Sequence, residues 1–269
     1  MKRLLNGTEL AGYIKERQTK EVQRLKQAMH VQPKLAIVQL KDDPVINIYV
    51  RLKKQYGRDI GVDVDVHRVK QADVKKILNM LSNDNSVNGI IVQLPIDDLG
   101  KTQATLNLVD KTKDVDALSQ TTNFEPATPM AIMWLLAGYN VDLKDKQILL
   151  IGRGKLVGAP LEKQLVASGY NAKVITRESS DMSVHTKQAD IIITATGSPA
   201  ILYSDMIKQD AVVVDAGVAS EDGKTVGDVA DDVYERNDLT MTPKKGGVGP
   251  LTVCALFENV LQATRKTSE

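Results

Sequence analysis

The chain has 269 residues, 42% of them apolar and 26% charged, the balance of a packed globular protein with a solvated surface. A formal net charge of +1 provides no global field to recruit nucleic acid or an anionic membrane surface, so neither is expected as a partner. Cys254 is the only cysteine and His30, His67 and His185 are the only histidines, none at metal-ligand spacing, which argues against a disulfide framework, a metal centre and a histidine triad. No apolar run reaches the roughly 18–20 residues that cross a bilayer. The opening MKRLLNGTEL meets Glu9 too early for a signal-peptide core. A cytoplasmic protein is expected.

Taken in order, the segments alternate. Thr8 is placed to cap a helix running to about Met29. KLAIVQL (34–40) has the length and composition of a strand, followed by a helix over about 45–60 and then VDVDVHRV with period-two alternation. A helix from about Asp73 leads to GIIVQLP (89–95). The rhythm pauses between about 97 and 127, around KDVDALSQ, and resumes with TPMAIMWLLAGYN (128–140), a connecting helix entered through Pro129. Four further strands follow, KQILLIG, AKVITR, ADIIITATG and AVVVDAG, with helices between them, and a last helix from near Pro250 to about Arg265.

Strands alternating with helices specify an α/β fold with parallel sheets. Two domains are expected: a first over 1–124, completed by the C-terminal helix 250–269, and a Rossmann-like second over 125–249.

After QILLIG the sequence Gly152-Arg153-Gly154-Lys155-Leu156-Val157-Gly158 opens a helix, with one residue more than the usual dinucleotide fingerprint. Its strand–loop–helix setting points to pyrophosphate on a helix N-terminus, where a plain tight turn is the simpler alternative. An NAD site places an acid at the end of the next strand; here Thr176 and Arg177 stand there, with Arg153 in the loop, and the adjacent Glu178 is an acid that could turn inward instead. Two guanidiniums suit a 2′-phosphate and favour NADP, the alternative being solvated arginines. The loops ATGSP (195–199) and DAG (215–217) follow strands and are candidates for the nicotinamide side, or turns that need glycine.

The blocks YVRLK (49–53), GIIVQLP (89–95), KDVD (113–116), PATP (126–129), GRGKLVGAP (152–160), VGDV (226–229) and GGVGPLT (246–252) occur in an order that resembles the bifunctional methylenetetrahydrofolate dehydrogenase–cyclohydrolases over nearly the whole chain. That resemblance implies two α/β domains, a homodimer, and oxidation of 5,10-methylenetetrahydrofolate by NADP⁺ followed by hydrolysis of the methenyl product to 10-formyltetrahydrofolate. By motif, Lys53 matches the catalytic lysine, Tyr49 the residue that packs against folate, Gln93 the partner of the lysine and Asp116 the pterin anchor. Leu94, Pro95, Gly247, Gly249 and Pro250 join them as expected substrate contacts. Gly152, Arg153, Gly154, Val157, Gly158, Arg177, Thr196, Gly197, Gly217 and Thr252 are the expected cofactor contacts.

The residue types fit that chemistry. Hydride transfer is a positioning task for the protein. Hydrolysis needs a group that moves a proton, and a lysine serves only where burial depresses its pKa, at about 1.4 kcal/mol per unit. Gln93 can accept from an ammonium or donate to an amine. Lys54 is expected in solvent and Cys254 packed on the last helix.

Departures from the family pattern cluster on the folate side. Ala117 and Leu118 stand where Gly and Phe are usual, Ile46 replaces a serine, Gln55 a basic residue, and Lys244 and Lys245 a Val-Pro pair. The stretch SQTTNFEPATP is shorter than usual and lacks the family's His-Pro-x-Asn segment, and Gly154 replaces a common serine. They leave open a dehydrogenase with little hydrolase activity, or a non-catalytic nucleotide-binding relative.

Overall fold

The structure, a computed structural model, describes residues 2–176, 179, 181–221 and 224–268. In chain order the first half contains β1 (Arg3–Leu4), α1 (Gly7–Ala28), β2 (Lys34–Gln39), α2 (Pro44–Ile60), β3 (Asp63–Arg68), α3 (Val74–Asn83), β4 (Gly89–Gln93) and the short α4 (Thr102–Leu106). The second half contains α5 (Ala127–Gly138), β5 (Ile148–Ile151), α6 (Gly158–Ala167), β6 (Ala172–Ile175), α7 (Met182–Gln188), β7 (Ile191–Thr194) and β8 (Val212–Asp215). It closes with the hairpin β9 (Ala219–Glu221) and β10 (Lys224–Val226), then β11 (Thr240–Met241) and α8 (Val248–Ser268). Two compact units result: Gly12–Ala127 with Val253–Glu269, and Met1–Ala11 with Thr128–Thr252.

The first unit is a three-stranded parallel sheet in the order β3-β2-β4. β2 and β4 are apolar runs buried along their length, as strands covered by helices on both faces must be. β3 alternates and its outward positions are exposed, which suits the sheet edge it occupies. Ala36, Val38, Ile90 and Val92 pack with Val74, Leu78 and Leu81 of α3. Phe257 and Leu261 of α8 are fully buried. Each such side chain contributes roughly 1.5–3 kcal/mol by leaving water.

The second unit is a six-stranded parallel sheet in the order β1-β11-β8-β7-β5-β6. Its core joins Leu149, Ile151, Ile192, Val213 and Met241. β1 and β11 are pairs of residues that carry no periodic signal, and neither is evident from sequence. Arg3–Leu4 stands beside Thr240–Met241, so the opening residues belong to this sheet, whereas the sequence suggested the first domain. The cap of α1 also differs: the Asn6 side chain accepts the Glu9 N–H, while the Thr8 hydroxyl and N–H turn to the Gly246 carbonyl.

In both sheets the strand order reverses beside the first strand of the unit's αβ series, at β2/β4 and at β5/β7. Ligands of open parallel sheets bind at the carboxyl ends of strands at such a point. No helix is long and apolar enough to cross a membrane among the described residues.

Candidate active site

At the β2/β4 reversal the sequence Ile-Val-Gln-Leu occurs twice, at 37–40 and at 91–94, and the two copies lie side by side in register with Gln39 opposite Gln93. The repeat is a signal that the motif reading passed over. Gln39 Nε2 donates to the Lys41 carbonyl and to Asn47 Oδ1 on α2, both at 2.8 Å, tying the helix to the strand end. Gln93 Nε2 donates to the Leu94 carbonyl at 3.0 Å, which leaves its Oε1 to accept from Lys53 Nζ at 2.7 Å.

Helix α2 explains why that lysine is there. Asp43 caps its N-terminus by accepting the N–H groups of Val45 and Ile46, and Pro44 occupies the first turn. Gly61 ends it in the left-handed region at φ 85°. The buried face is Ile46, Val50, Gly57 and Ile60. Lys53 is seven residues from Ile46, three from Val50 and four from Gly57, so it occupies the one charged position of an otherwise apolar stripe. Gly57 has no room for a side chain, because a Cβ would fall 2.4 Å from Val64 Cγ2. Tyr49, one turn before Lys53, stays about one-third exposed (36%), and Lys54 points to solvent as expected.

Asp116 comes from the loop after α4, which returns to the side of β4. The Ile90 N–H donates to the Lys113 carbonyl at 2.7 Å, and Asp114 bridges to Ile90. The buried Lys113 Nζ donates to the carbonyls of Leu81 and Asp84 at the end of α3. Asp114 accepts the Ser119 N–H, and Asn259 of α8 donates to the Val115 carbonyl at 2.8 Å. Ala117 holds φ 58°, the left-handed region, where the family pattern has glycine. Leu118 packs against the core of this unit, and Ile46 is buried within α2's inner face.

The electrostatics follow from burial. Desolvation pushes the Lys53 ammonium below the usual lysine value, and the charge of Asp116 opposes it without overcoming it. Desolvation pushes the Asp116 carboxyl up; Lys53 pulls it down and Asp114 adds to the rise. Each charge moderates the other, and burial shifts both groups toward their neutral forms.

The glycine loop sits at the β5/β7 reversal. The Gly152 N–H donates to the Ile175 carbonyl at 2.8 Å, and its φ of 105° and the Ala195 carbonyl, 2.6 Å from any added Cβ, exclude other residues. At Gly158 a Cβ would fall 2.1 Å from the Gly152 carbonyl. Gly154 has open space around its Cβ position, so it is not required by the turn and leaves room for a ligand. Val157 caps α6 without a side-chain bond; the Ala159 N–H donates to the Gly154 carbonyl at 3.0 Å and Pro160 has no N–H, so among the first three residues of this helix the Gly158 N–H is the donor that can face an anion. These features fit a pyrophosphate. Arg153 is exposed and its guanidinium pairs with Glu162 on α6 at 2.8 Å; Arg177 lies outside the described residues.

Thr196 and Gly197 follow β7, Gly217 follows β8, and Thr252 bonds the Val248 carbonyl on α8. Gly247 is buried, while Gly249 is exposed beside Pro250 at the start of α8. These three belong to the same unit as the glycine loop, whereas Tyr49, Lys53, Gln93, Leu94, Pro95 and Asp116 belong to the other. Lys244 pairs with Asp231 at 2.8 Å and stands over the Tyr234 ring. Cys254 is buried on α8, where it accepts from the Tyr56 hydroxyl at 3.2 Å.

Residues 5–116 match the family model described as tetrahydrofolate dehydrogenase/cyclohydrolase, catalytic domain, and residues 126–268 match the NAD(P)-binding domain of the same family. The chain belongs to the tetrahydrofolate dehydrogenase/cyclohydrolase family. It is 34% identical to the bifunctional protein FolD of Campylobacter jejuni (strain RM1221) over 97% of this chain and 98% of that one. A crystal structure of the bifunctional FolD methylenetetrahydrofolate dehydrogenase/cyclohydrolase from Campylobacter jejuni superposes with a TM-score of 0.92 at 33% identity, covering 99% of both chains. The Trypanosoma brucei methylenetetrahydrofolate dehydrogenase-cyclohydrolase, complexed with NADP cofactor and inhibitor, gives 0.90 at 27% identity over 98% of this chain and 97% of that one. This chain is therefore a two-domain α/β member of an enzyme family with an NAD(P)-binding domain.

Proposed function

We propose that this protein oxidises 5,10-methylenetetrahydrofolate to the methenyl compound with NADP⁺ and hydrolyses the product to 10-formyltetrahydrofolate. The observation that carries the reading is the contact of 2.7 Å between Lys53 Nζ and Gln93 Oε1, made by a lysine on the apolar stripe of its helix whose ammonium is destabilised by burial.

In the hydride step the protein positions the reactants. The Gly152–Gly158 turn and the N-terminus of α6 hold the pyrophosphate of NADP, and Arg153, with Arg177, meets the 2′-phosphate. Bound there, NADP⁺ supplies the acceptor for the hydride. Thr196, Gly197 and Gly217 border its nicotinamide end and Thr252 completes the site. On the folate side Asp116 accepts from the aminopyrimidine edge of the pterin, Tyr49 packs against the substrate, and Leu94 and Pro95 bound it.

In the hydrolytic step water adds to the cationic methenyl carbon as the C=N π pair moves onto nitrogen; the carbon–N5 bond then breaks, the proton taken from water is returned to N5, and the formyl group stays on N10. The neutral amine of Lys53 takes the water proton, and the cation of the substrate favours that neutral form further. Gln93 orients the lysine in both states, because its amide oxygen accepts from ammonium or amine alike. Tyr49, Lys53, Gln93 and Asp116 are all present, which favours retention of hydrolysis over a dehydrogenase that has lost it. We place the protein in the cytoplasm as a homodimer, in agreement with its single buried cysteine.

The test is one spectrophotometric assay with methylenetetrahydrofolate and either NADP⁺ or NAD⁺. NADPH absorbance should grow, NADP⁺ should be preferred, and the methenyl band should decay faster than in buffer. No NADPH growth would defeat the proposal, and preference for NAD⁺ would defeat the assignment of Arg153 and Arg177. Size-exclusion chromatography with light scattering should return the mass of two chains.

A further inference from the structure

The loops after β7 and β8 are held in place by two acids that the chemistry above leaves unused. Asp228, in the Val226–Val229 stretch, is fully excluded from solvent. Its Oδ2 accepts the Thr196 N–H at 2.7 Å and its Oδ1 the Ser198 N–H at 3.0 Å. Asp215, the last residue of β8, accepts the N–H groups of Gly217, Asp228 and Val229 and the hydroxyl of the buried Thr194. Burial and the nearby charge of Asp215 push the Tyr234 phenol up from its ordinary value.

The two acids and two glycines interlock. A Cβ at Gly217 would fall 1.9 Å from Asp228 Oδ1, and a Cβ at Gly227 would fall 2.0 Å from Asp215 Oδ2. Each glycine leaves the space that the opposing carboxylate fills. Among the described residues neither acid has a basic partner within ion-pair distance. Burial and the neighbouring charge of Asp228 push the Asp215 carboxyl up, while the N–H groups hold it down. Two adjacent buried carboxylates are a costly way to pack a fold, since apolar side chains of similar volume serve as well or better. What they provide is a fixed direction for backbone N–H groups in loops at the carboxyl edge of the sheet, where ligands bind.

We propose that Asp228, backed by Asp215, is the positioning residue that sets the Thr196–Ser198 loop for the nicotinamide end of NADP. The inference rests on the NADP-dependent reading given above. Its test uses the full chain and three measurements: steady-state oxidation against NADP⁺ concentration, NADPH binding by fluorescence, and nucleotide-free hydrolysis of methenyltetrahydrofolate. In Asp228→Asn one acceptor oxygen becomes an NH2 group that opposes a backbone N–H. The KM for NADP⁺ and the Kd for NADPH should rise about tenfold, with hydrolysis within about twofold of wild type. Thr194→Val removes one donor to Asp215 without changing volume, and should raise the same two constants by about two- to threefold.

Nucleotide constants within twofold of wild type in both variants would overturn the proposal. So would parallel loss of both activities and of melting temperature in Asp228→Asn with Thr194→Val unchanged, since that marks a purely structural acid. Failure of the wild-type chain to form NADPH would instead defeat the functional reading, and the fluorescence titration still decides the role of Asp228.

Discussion

At the residue scale, the site is a lysine in the wrong place for stability and the right one for chemistry. Lys53 stands in the Ile46, Val50, Gly57, Ile60 stripe, and its ammonium is depressed chiefly by desolvation. A folded pKa below the unfolded value means that the folded state carries the cost wherever the lysine is charged in both states. That cost fades as pH rises from the folded pKa to the unfolded one. Lys53→Met should therefore raise stability at neutral pH by about 1 kcal/mol, the lost attraction to Asp116 being the smaller effect. Melting curves of the two proteins should converge as pH rises toward 10. The same variant should lose hydrolysis by about a hundredfold or more and still form NADPH; unchanged hydrolysis would remove Lys53 from its role. Ala117 is the second residue worth changing. Its φ of 58° costs an L-residue about 1–2 kcal/mol, part of which a flexible glycine gives back in the unfolded chain. Ala117→Gly should thus gain about 0.5 kcal/mol by denaturant melts, with the pterin anchor Asp116 undisturbed.

At the scale of elements, the strands and helices with clear periodicity were legible, and so was the strand–turn–helix setting of the glycine loop. α2 extends over Pro44–Ile60 where about 45–60 was expected, because Asp43-Pro44 and Gly61 are terminus signals that need no tertiary context. β1 and β11 were not legible: two residues cannot show a period, and what makes them strands is the sheet edge they find. Nor was the support behind Asp116, since Lys113 and Asn259 act through carbonyls 29 to 144 positions away in sequence. The Gln39–Gln93 register could have been read from the repeated Ile-Val-Gln-Leu. Arg153 shows where sequence overstates. Its guanidinium faces Glu162 in an exposed pair, worth at most about 1 kcal/mol, so the 2′-phosphate must compete with that carboxylate. Glu162→Gln should lower the KM for NADP⁺ by about two- to threefold and leave that for NAD⁺ alone, as parallel titrations with the two nucleotides would show.

For the whole molecule, the two units predict two separable defects. Asn259 lies on α8 in the unit that holds Lys53 and is 2% exposed; its amide donates to the carbonyls of Val115 and Glu125, each at 2.8 Å. Asn259→Ala strands the buried Val115 carbonyl next to Asp116 and should cost about 2 kcal/mol, with a rise in the KM for folate. Gly152 lies in the other unit, and Gly152→Ala drives a Cβ to 2.6 Å from the Ala195 carbonyl at a φ that alanine resists. That variant should lose NADPH binding by about tenfold or more and retain nucleotide-free hydrolysis of methenyltetrahydrofolate. Measured side by side, the first variant should keep its nucleotide constants and the second its hydrolase KM. If each instead degraded both activities equally, the chain would not divide its chemistry between the β2/β4 and β5/β7 strand ends, and the assignment of one ligand to each would fail.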